Sequence, residues 1–285
     1  MSYTINGNDL SGYYLTVIKC EGALDIPGRL GDIDYDWGDS NGIEAFTDSD
    51  DLKWNGRRID LTAFYSGSSM IYDMQQFKSA FAGSDLALVT SFGTFTVRLM
   101  AVEIDEYFRA DKQSTVVLSF WQKTITPDAI SGPAGGNGVT IGGYDFMNDF
   151  GLSVRSVRLQ NDTQFRKRSL SYPSTPVEYN GIEDTRAIRL ELNGKYTSKA
   201  AMISNIEALR DLLMSSGTKT LFYMTSEFEC YFADAVSVRI ERTLDTVFMT
   251  LNLRVVTVNA VQVLTGMNVS VDNETITIDN DQILI

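Results

Sequence analysis

Two stretches of sequence decide how this chain is organised: SMIYDMQQF at residues 69–77 and AMISNIEAL at residues 201–209. Their apolar positions coincide without a gap: Met70 with Met202, Ile71 with Ile203, Met74 with Ile206 and Phe77 with Leu209. Apolar residues at spacings of one, three and four fall on one side of an α-helix. Each stretch therefore predicts a helix that packs on a sheet, one over about residues 68–83 and one over about residues 198–216.

The match continues through the segments on both sides of these helices. It includes Leu88 with Leu221, Phe95 with Phe228, Val102 with Val236, Leu118 with Leu251 and, upstream, Ile59 with Ile188. The offset between the matched positions drifts slightly from one segment to the next, as insertions at turns would make it do. Several matches in the same order indicate an internal duplication of one structural unit.

The segments around the helices carry the alternating pattern of half-buried strands. Ile59, Leu61 and Ala63 alternate with polar or less buried positions, which is the period of a strand. Beyond the first helix, apolar residues occupy odd positions up to Leu99 and even positions from Val102, and this change of phase predicts a β-bulge. The fold class expected is mostly β with one helix per repeat (α+β).

These patterns divide the chain into four parts. We expect a β domain over residues 1–122, a glycine-rich linker over 123–143, a second copy of the domain over 144–258 and a C-terminal β tail or arm over 259–285. The composition of the linker, ISGPAGGNG at residues 130–138, is typical of a flexible connection. In the tail, residues 268–271 and 275–278 predict a hairpin.

The composition narrows the classes of function. The chain has 285 residues, a formal net charge of −13 and no histidine, so the commonest general base and metal ligand is missing and a nucleic-acid-binding surface is disfavoured. Its apolar runs fall short of the ~20 residues that span a bilayer, and its start lacks the pattern of a secretory signal. We expect a protein made in the cytoplasm, with no membrane insertion and no cofactor, and with Cys20 and Cys230 as reduced, half-buried thiols.

An acidic run forms the most conspicuous charged motif. Asp32, Asp34 and Asp36 alternate with apolar residues, which partly resembles a calcium-binding loop. A helix–loop–helix calcium loop needs glycine at its sixth position and glutamate at its twelfth, where this run has Trp37 and Ile43. The interpretation we favour is a strand with three carboxylates on one face, and we predict no metal site.

A turn near the acidic run resembles a motif of a known protein family. The stretch LDIPGRLGDI at residues 24–33, followed by RRIDL at residues 57–61, resembles the distal tail proteins of long-tailed bacteriophages. The residues that carry the resemblance are Ile26, Pro27, Gly28, Arg29 and Gly31. In that family the residue after the arginine is often aspartate, whereas this chain has Leu30. The opening, INGNDLSG at residues 5–12, is also similar to the start of the family, and the resemblance extends to the end of the first domain.

The resemblance implies a structural protein and not an enzyme. It implies tandem tail-tube-like β-sandwich or barrel domains that close into a homo-oligomeric ring, as a distal tail protein or baseplate hub. Such a ring joins the tail tube to the tip, contacts the tail tube protein and tail-tip or receptor-binding proteins, and lets DNA pass without specific binding. The protein would be part of the virion tail and would be assembled in the host cytoplasm.

The duplication leaves the size of the ring open. Many distal tail proteins carry a different β domain after the ring domain, whereas here the second half repeats the first. A homo-hexamer follows if one domain lines the channel, and a homo-trimer follows if both do. We expect Asp32, Asp34 and Asp36 on a channel or ring face, where their reversal to lysine would leave folding intact and slow the passage of DNA.

Two other classes of function stay open on the sequence. A carbohydrate-binding β-sandwich would place Trp37, Trp54 and Trp121 on a concave face. A glycoside hydrolase would place paired carboxylates with raised pKa values in a deep cleft. Neither explains the duplication as simply as a quasi-symmetric assembly does.

Overall fold

The computed structural model describes residues 3–35, 43–108, 113–159, 169–172, 175–178, 187–242, 246–258, 268–271 and 274–277. The first part contains β1 (Thr4–Ile5), β2 (Asn8–Asp9), a 3₁₀ helix (Leu10–Tyr13), β3 (Leu15–Glu21), β4 (Asp34–Tyr35), β5 (Glu44–Ala45), β6 (Arg57–Tyr65), α1 (Met70–Phe81), β7 (Leu86–Thr90), β8 (Gly93–Phe108) and β9 (Gln113–Gln122). The second part contains β10 (Thr140–Ile141), β11 (Tyr144–Asp145), α2 (Phe146–Phe150), β12 (Leu152–Leu159), β13 (Ser169–Tyr172), β14 (Thr175–Glu178), β15 (Ala187–Tyr196), α3 (Lys199–Met214), β16 (Lys219–Tyr223), β17 (Ser226–Phe232), β18 (Arg239–Arg242), β19 (Val247–Thr257), β20 (Asn268–Val271) and β21 (Glu274–Thr277). Strands dominate, so the mostly β class is confirmed.

The first sheet has the strand order β2-β1-β7-β8-β9-β6-β3, and its neighbouring strands are antiparallel. Strand β6 alternates buried and more exposed residues along its whole length, as its sequence predicts. Helix α1 covers the buried face with Met70, Met74, Phe77 and Phe81. Ile71 was expected in the same apolar stripe but is 65% exposed, because the stripe needed to cover the sheet is narrower than the sequence pattern.

The second sheet has the order β11-β10-β16-β17-β19-β15-β12, and β18 pairs with β19. Helix α3 buries its apolar face against this sheet through Met202, Ile206, Leu209, Leu212 and Leu213. Its first turn is capped by Ser198, whose side chain accepts a hydrogen bond from the amide of Ala201. The two sheets therefore have the same strand order, with a helix in the same place in each.

The strand pairing corrects one part of the repeat alignment. Ile59 lies opposite Phe120 in the first sheet, and Leu190 lies opposite Leu253 in the second. The residue that corresponds to Ile59 is thus Leu190 and not Ile188. Alternation alone could not place this strand, because a shift by two positions keeps the same face buried.

The starts of the two sheets are similar in sequence and in structure. Residues 4–10 read TINGNDL and residues 140–146 read TIGGYDF. Asp9 and Asp145 cap the short helix that follows, and Asp145 accepts hydrogen bonds from the amides of Met147 and Asn148. Strand β10, within the stretch assigned to the linker, belongs to the second sheet.

The glycine-rich stretch is held in place, although its composition predicts a flexible linker. The amides of Ala134 and Gly138 donate to the carboxylates of Asp149 and Asp145 at 2.7 and 3.0 Å. The carbonyl of Gly135 accepts from the side chain of Asn148 at 3.0 Å. Composition could not reveal this, because the partners lie on or beside the helix that follows.

The β-bulge expected in β8 is present, where the register shifts between Leu99 and Ala101. The second sheet has an interruption instead of a bulge at the corresponding place. Residues 233–238, between β17 and β18, do not pair with a neighbouring strand of that sheet. This interruption opens a place for another segment of the chain to pair. Strands β20 and β21 form a separate two-stranded hairpin.

Candidate functional site

The connection between β3 and β6 leaves the first sheet and packs into the second. Leu24 and Ile26 are at most 5% exposed and belong to the hydrophobic core of the second sheet. Ile26 pairs with Val236, in the interruption between β17 and β18. A segment of the first half thus completes the core of the second half.

The turn at residues 26–31, which we call the motif turn, forms the centre of this contact. Ile26 and Val236 exchange two backbone hydrogen bonds of 2.9 Å. The amide of Arg29 donates to the carbonyl of Ala233 at 2.7 Å. Pro27 and Gly28 are buried between these two points. The motif therefore acts as one strand of an antiparallel contact between the two sheets.

Gly28 is required by the closeness of the two backbones. A Cβ at this position would lie 2.8 Å from the amide nitrogen of Ala235 and 3.0 Å from the carbonyl oxygen of Ala233. Both neighbours are backbone atoms, which cannot move aside as a flexible side chain would. Gly31 serves a different purpose: it is exposed and has a φ of +80°, a conformation that other residues rarely adopt.

Arg29 ties the turn to the rest of the β3–β6 connection. Its Nη2 donates to the carbonyl oxygen of Phe46. On either side, the amide of Leu30 donates to the carbonyl of Lys53 at 2.7 Å, and the carbonyl of Gly28 accepts from the amide of Asn55 at 2.8 Å. Burial lowers the pKa of the guanidinium, and the nearby Tyr231 and carboxylates oppose that shift.

Aromatic stacking reinforces the contact. The ring of Trp54 stacks on that of Phe232 at a centroid distance of 5.9 Å and an angle of 26°. Trp121 packs so closely on Gly56 that a Cβ there would lie 2.5 Å from the indole. Trp54 and Trp121 are thus half-buried and packed against other parts of the chain, whereas the carbohydrate-binding alternative needs them on an open face. Trp37 lies outside the described residues.

A half-buried aspartate, Asp25, and a buried arginine, Arg57, border the same junction. The Oδ1 of Asp25 accepts from the amide of Val238 at 2.8 Å, and Arg57 donates to the carbonyl of Asp25 at 3.2 Å and to Gln122 at 2.8 Å. Burial raises the pKa of Asp25 and lowers the pKa of Arg57 to about 10. A raised carboxyl pKa fits the hydrolase alternative, but this carboxylate already binds a backbone amide of the second sheet. Asp25 thus has a structural role at the junction.

The acidic run is only partly where the sequence places it. Asp32 is exposed, as expected of a solvated face. Asp34 is half-buried in β4, where it accepts a hydrogen bond from the hydroxyl of Tyr231, and its neighbour Tyr35 is 50% exposed. The expected alternation is therefore reversed at this pair, because Asp34 has a partner in the second sheet. Asp36 lies outside the described residues.

A second contact joins the sheets on the side of α3. The ammonium of Lys199 lies 3.5 Å from the centroid of the Phe92 ring and donates to the hydroxyl of Ser91 at 2.6 Å. The amide of Gly217 donates to the carbonyl of Thr47 at 2.8 Å. Backbone, aromatic and charged contacts therefore all hold the two halves in one arrangement.

The described ranges contain no cluster of three or more histidine, cysteine or acidic residues that could hold a metal ion. Within the same ranges, no helix has the length and apolar character needed to cross a membrane. Cys20 is half-buried, Cys230 is buried, and both are free thiols. Burial raises the pKa of each to about 12.

Comparison with known proteins adds a structural likeness. No family model matches the chain, and no curated protein matches it. Among solved structures, the chain is similar to the Dit protein of phage SPP1, described as a paradigm of the hub adsorption apparatus in phages that infect Gram-positive bacteria. The two chains are 13% identical, the match covers 89% of this chain and 98% of the other, and the TM-score is 0.35. A TM-score this low carries no argument about the fold or function of this chain.

Sequence reasoning found the motif turn but not its partners. Ala233, Val236 and Val238 lie in the other half of the chain, in a stretch where the strand pattern breaks off. The break in the strand pattern could have indicated this contact. Residues 233–238 correspond to a continuous part of β8, yet they do not pair within their own sheet. An interrupted ladder leaves backbone groups that need other partners.

Proposed function

We propose that this chain is a structural component of a bacteriophage tail tip, either a distal tail protein or a baseplate hub. Several copies form a ring that joins the tail tube to the tip and lets DNA pass. In this proposal the two sheets are copies of one tail-tube-like domain, and the chain has no enzymatic activity. The support comes from the resemblance of the motif at residues 26–31 and from the way the two sheets contact each other.

The observation that carries the proposal is the direction of the contact within the chain. The end of β3 and the turn after it, from the first sheet, contact the region of β17 and β18 in the second. The elements in contact are different on the two sides, so the contact is head-to-tail. Repeating a head-to-tail contact between similar units builds a closed ring when the rotation allows it.

The open ends of the two sheets fit the same scheme. Strand β12 ends the second sheet as β3 ends the first. Unpaired strand edges invite uncontrolled association unless something covers them. A neighbouring copy in a ring would cover β12 as the second sheet covers the end of β3.

A ring of six similar domains needs only three chains, because each chain supplies two of the domains. The head-to-tail contact therefore favours a trimer. Six chains would instead form a ring in which one sheet of each chain lines the bore. In both cases the net charge of −13 per chain makes the ring strongly acidic, which suits a bore that DNA crosses without specific binding. The partners would be the tail tube protein above and the tail-tip or receptor-binding proteins below, in the virion tail after assembly in the host cytoplasm.

Electron microscopy of the purified protein tests the proposal. We expect ring-shaped particles with a central hole, with three-fold symmetry and six lobes for a trimer or six-fold symmetry for a hexamer. Particles without a hole over the whole accessible range of concentrations would count against it. A carbohydrate-binding monomer would give that second result.

A further inference from the structure

A row of arginines crosses the second sheet on the face away from α3. Arg158 on β12 lies directly opposite Arg189 on β15, and Arg189 lies directly opposite Arg254 on β19. The next residues along, Leu190 and Leu253, are fully buried and point to the core, so the arginines share the open face. We call Arg158, Arg189 and Arg254 the arginine ladder.

Among the described residues, the ladder places like charges next to each other. Side chains directly opposite on neighbouring strands are about 4.5–5.5 Å apart at Cβ, where like charges destabilise a sheet. Arg254 binds the carboxylate of Asp234. For Arg158 and Arg189, no ion-pair partner occurs among the described residues, and Arg158, Arg189 and Arg254 border a groove of about 560 Å³. Glu191 also borders this groove, and its carboxylate is paired with Arg155. The three aligned guanidiniums, on a chain of net charge −13, form an arrangement suited to further carboxylates.

The contact between the two sheets of one chain indicates what could lie beside the end of β12. A groove of about 590 Å³ lies between the end of β3, at Lys19 and Glu21, and strand β18, at Arg239 and Glu241. Both sides of that groove carry basic and acidic residues: Lys19, Glu21 and Asp25 on one side, and Arg239 and Glu241 on the other. In the second sheet, β12 takes the place of β3, and in the first sheet, β8 takes the place of β17 and β18.

The corresponding part of β8 has the opposite charge to the ladder. With the same offset that joins Val102 to Val236, the stretch 103–107 takes the place of the stretch 237–241. The first reads EIDEY, whereas the second reads SVRIE. Glu103 is exposed, and it lies on the opposite face of the strand from Val102 and Ile104. Glu103 is thus an exposed carboxylate on a stretch of strand whose sequence is acidic.

We propose that the arginine ladder binds β8 of a second copy of this chain, with Glu103 among its carboxylate partners. This inference rests on the proposed ring and names the surfaces that join one copy to the next. It also accounts for the difference between the two sheets: the contact inside a chain is held by the motif turn, and the contact between chains is held by opposite charges.

Charge reversal and charge exchange test the inference by sedimentation velocity over a concentration series, at low and high salt. The test variant is Arg158→Glu with Arg189→Glu, and the compensating variant adds Glu103→Arg. The matched control is Lys78→Glu with Lys195→Glu, which changes the net charge equally at two other exposed positions. Thermal unfolding of all variants checks that each one folds.

We expect the dissociation constant between copies to rise by about 100-fold or more in the test variant, and to recover by at least about tenfold in the compensating variant. The control should assemble as the unchanged protein does, and high salt should weaken assembly of the unchanged protein. If the test variant assembles as tightly as the control, the ladder is not the interface, although the ring stands. If Glu103→Arg restores nothing, the pairing with β8 is wrong. A monomeric unchanged protein would overturn the ring and this inference together.

Discussion

The substitution Gly28→Ala tests the role of the motif turn at residues 26–31. The added Cβ would lie 2.8 Å from the amide nitrogen of Ala235 and 3.0 Å from the carbonyl oxygen of Ala233. Since Gly28 does not have the positive φ that disfavours alanine, the whole effect comes from these contacts. The turn must move away from the second sheet to accommodate the methyl group.

The expected loss of stability follows from what that movement breaks. Overpacking a well-packed site costs about 1–3 kcal/mol. Weakening the Arg29–Ala233 hydrogen bond, now 2.7 Å long, adds about 0.5–1.5 kcal/mol. We expect Gly28→Ala to lower the free energy of unfolding by about 2–4 kcal/mol.

Urea unfolding followed by tryptophan fluorescence measures this loss. Trp54 reports on the junction, because it stacks on Phe232 of the second sheet. The control is Gly132→Ala, where the added Cβ meets nothing within 4 Å. In Gly28→Ala we also expect the free energy of unfolding to depend less steeply on urea concentration, or a second unfolding transition to appear. Either result would follow because the two halves would no longer unfold together. A loss within about 0.5 kcal/mol of the control would refute the account of the turn.

Three other predictions follow from the junction and the thiols. Burial raises the pKa of Asp25, so its stabilising contribution is complete below about 3.8 and is lost as the pH rises through the raised pKa. Asp25→Asn should therefore have a higher free energy of unfolding in urea than the unchanged protein at pH 7. A difference between the two proteins that does not shrink on acidification would contradict this. Asp34→Ala leaves the hydroxyl of Tyr231 without its acceptor and should lower the free energy of unfolding by about 1–3 kcal/mol, whereas Asp32→Ala should change it little; equal losses would argue against this difference. Cys20 and Cys230, with pKa values raised to about 12, should react with a thiol reagent at pH 8 only after unfolding, and a fast reaction of folded protein would speak against their burial.

The elements that depend on local pattern were readable from the sequence. Strand β6 has the predicted alternation, and α1 and α3 lie within the ranges given by their apolar stripes. The bulge in β8 followed from a change of phase at Leu99. These features depend on the burial of one face of a helix or strand, which produces a regular spacing of apolar residues in the sequence.

The features that depend on distant partners were not readable. The motif turn was recognised as a unit, but its contact with residues 233–238 leaves no period in either segment. The same holds for Asp34, whose partner Tyr231 turns it away from the solvated face that alternation predicts. The arginine ladder was hidden because Arg158, Arg189 and Arg254 meet only through the register of three strands.

The mass of the purified protein in solution tests the central claim most directly. Light scattering over a concentration series should show a closed assembly whose mass does not change on moderate dilution. That mass should be three times the 31.7 kDa of one chain for a trimeric ring, or six times for a hexameric ring. A monomer at every concentration, or a mass that grows without limit as concentration rises, would contradict a closed ring.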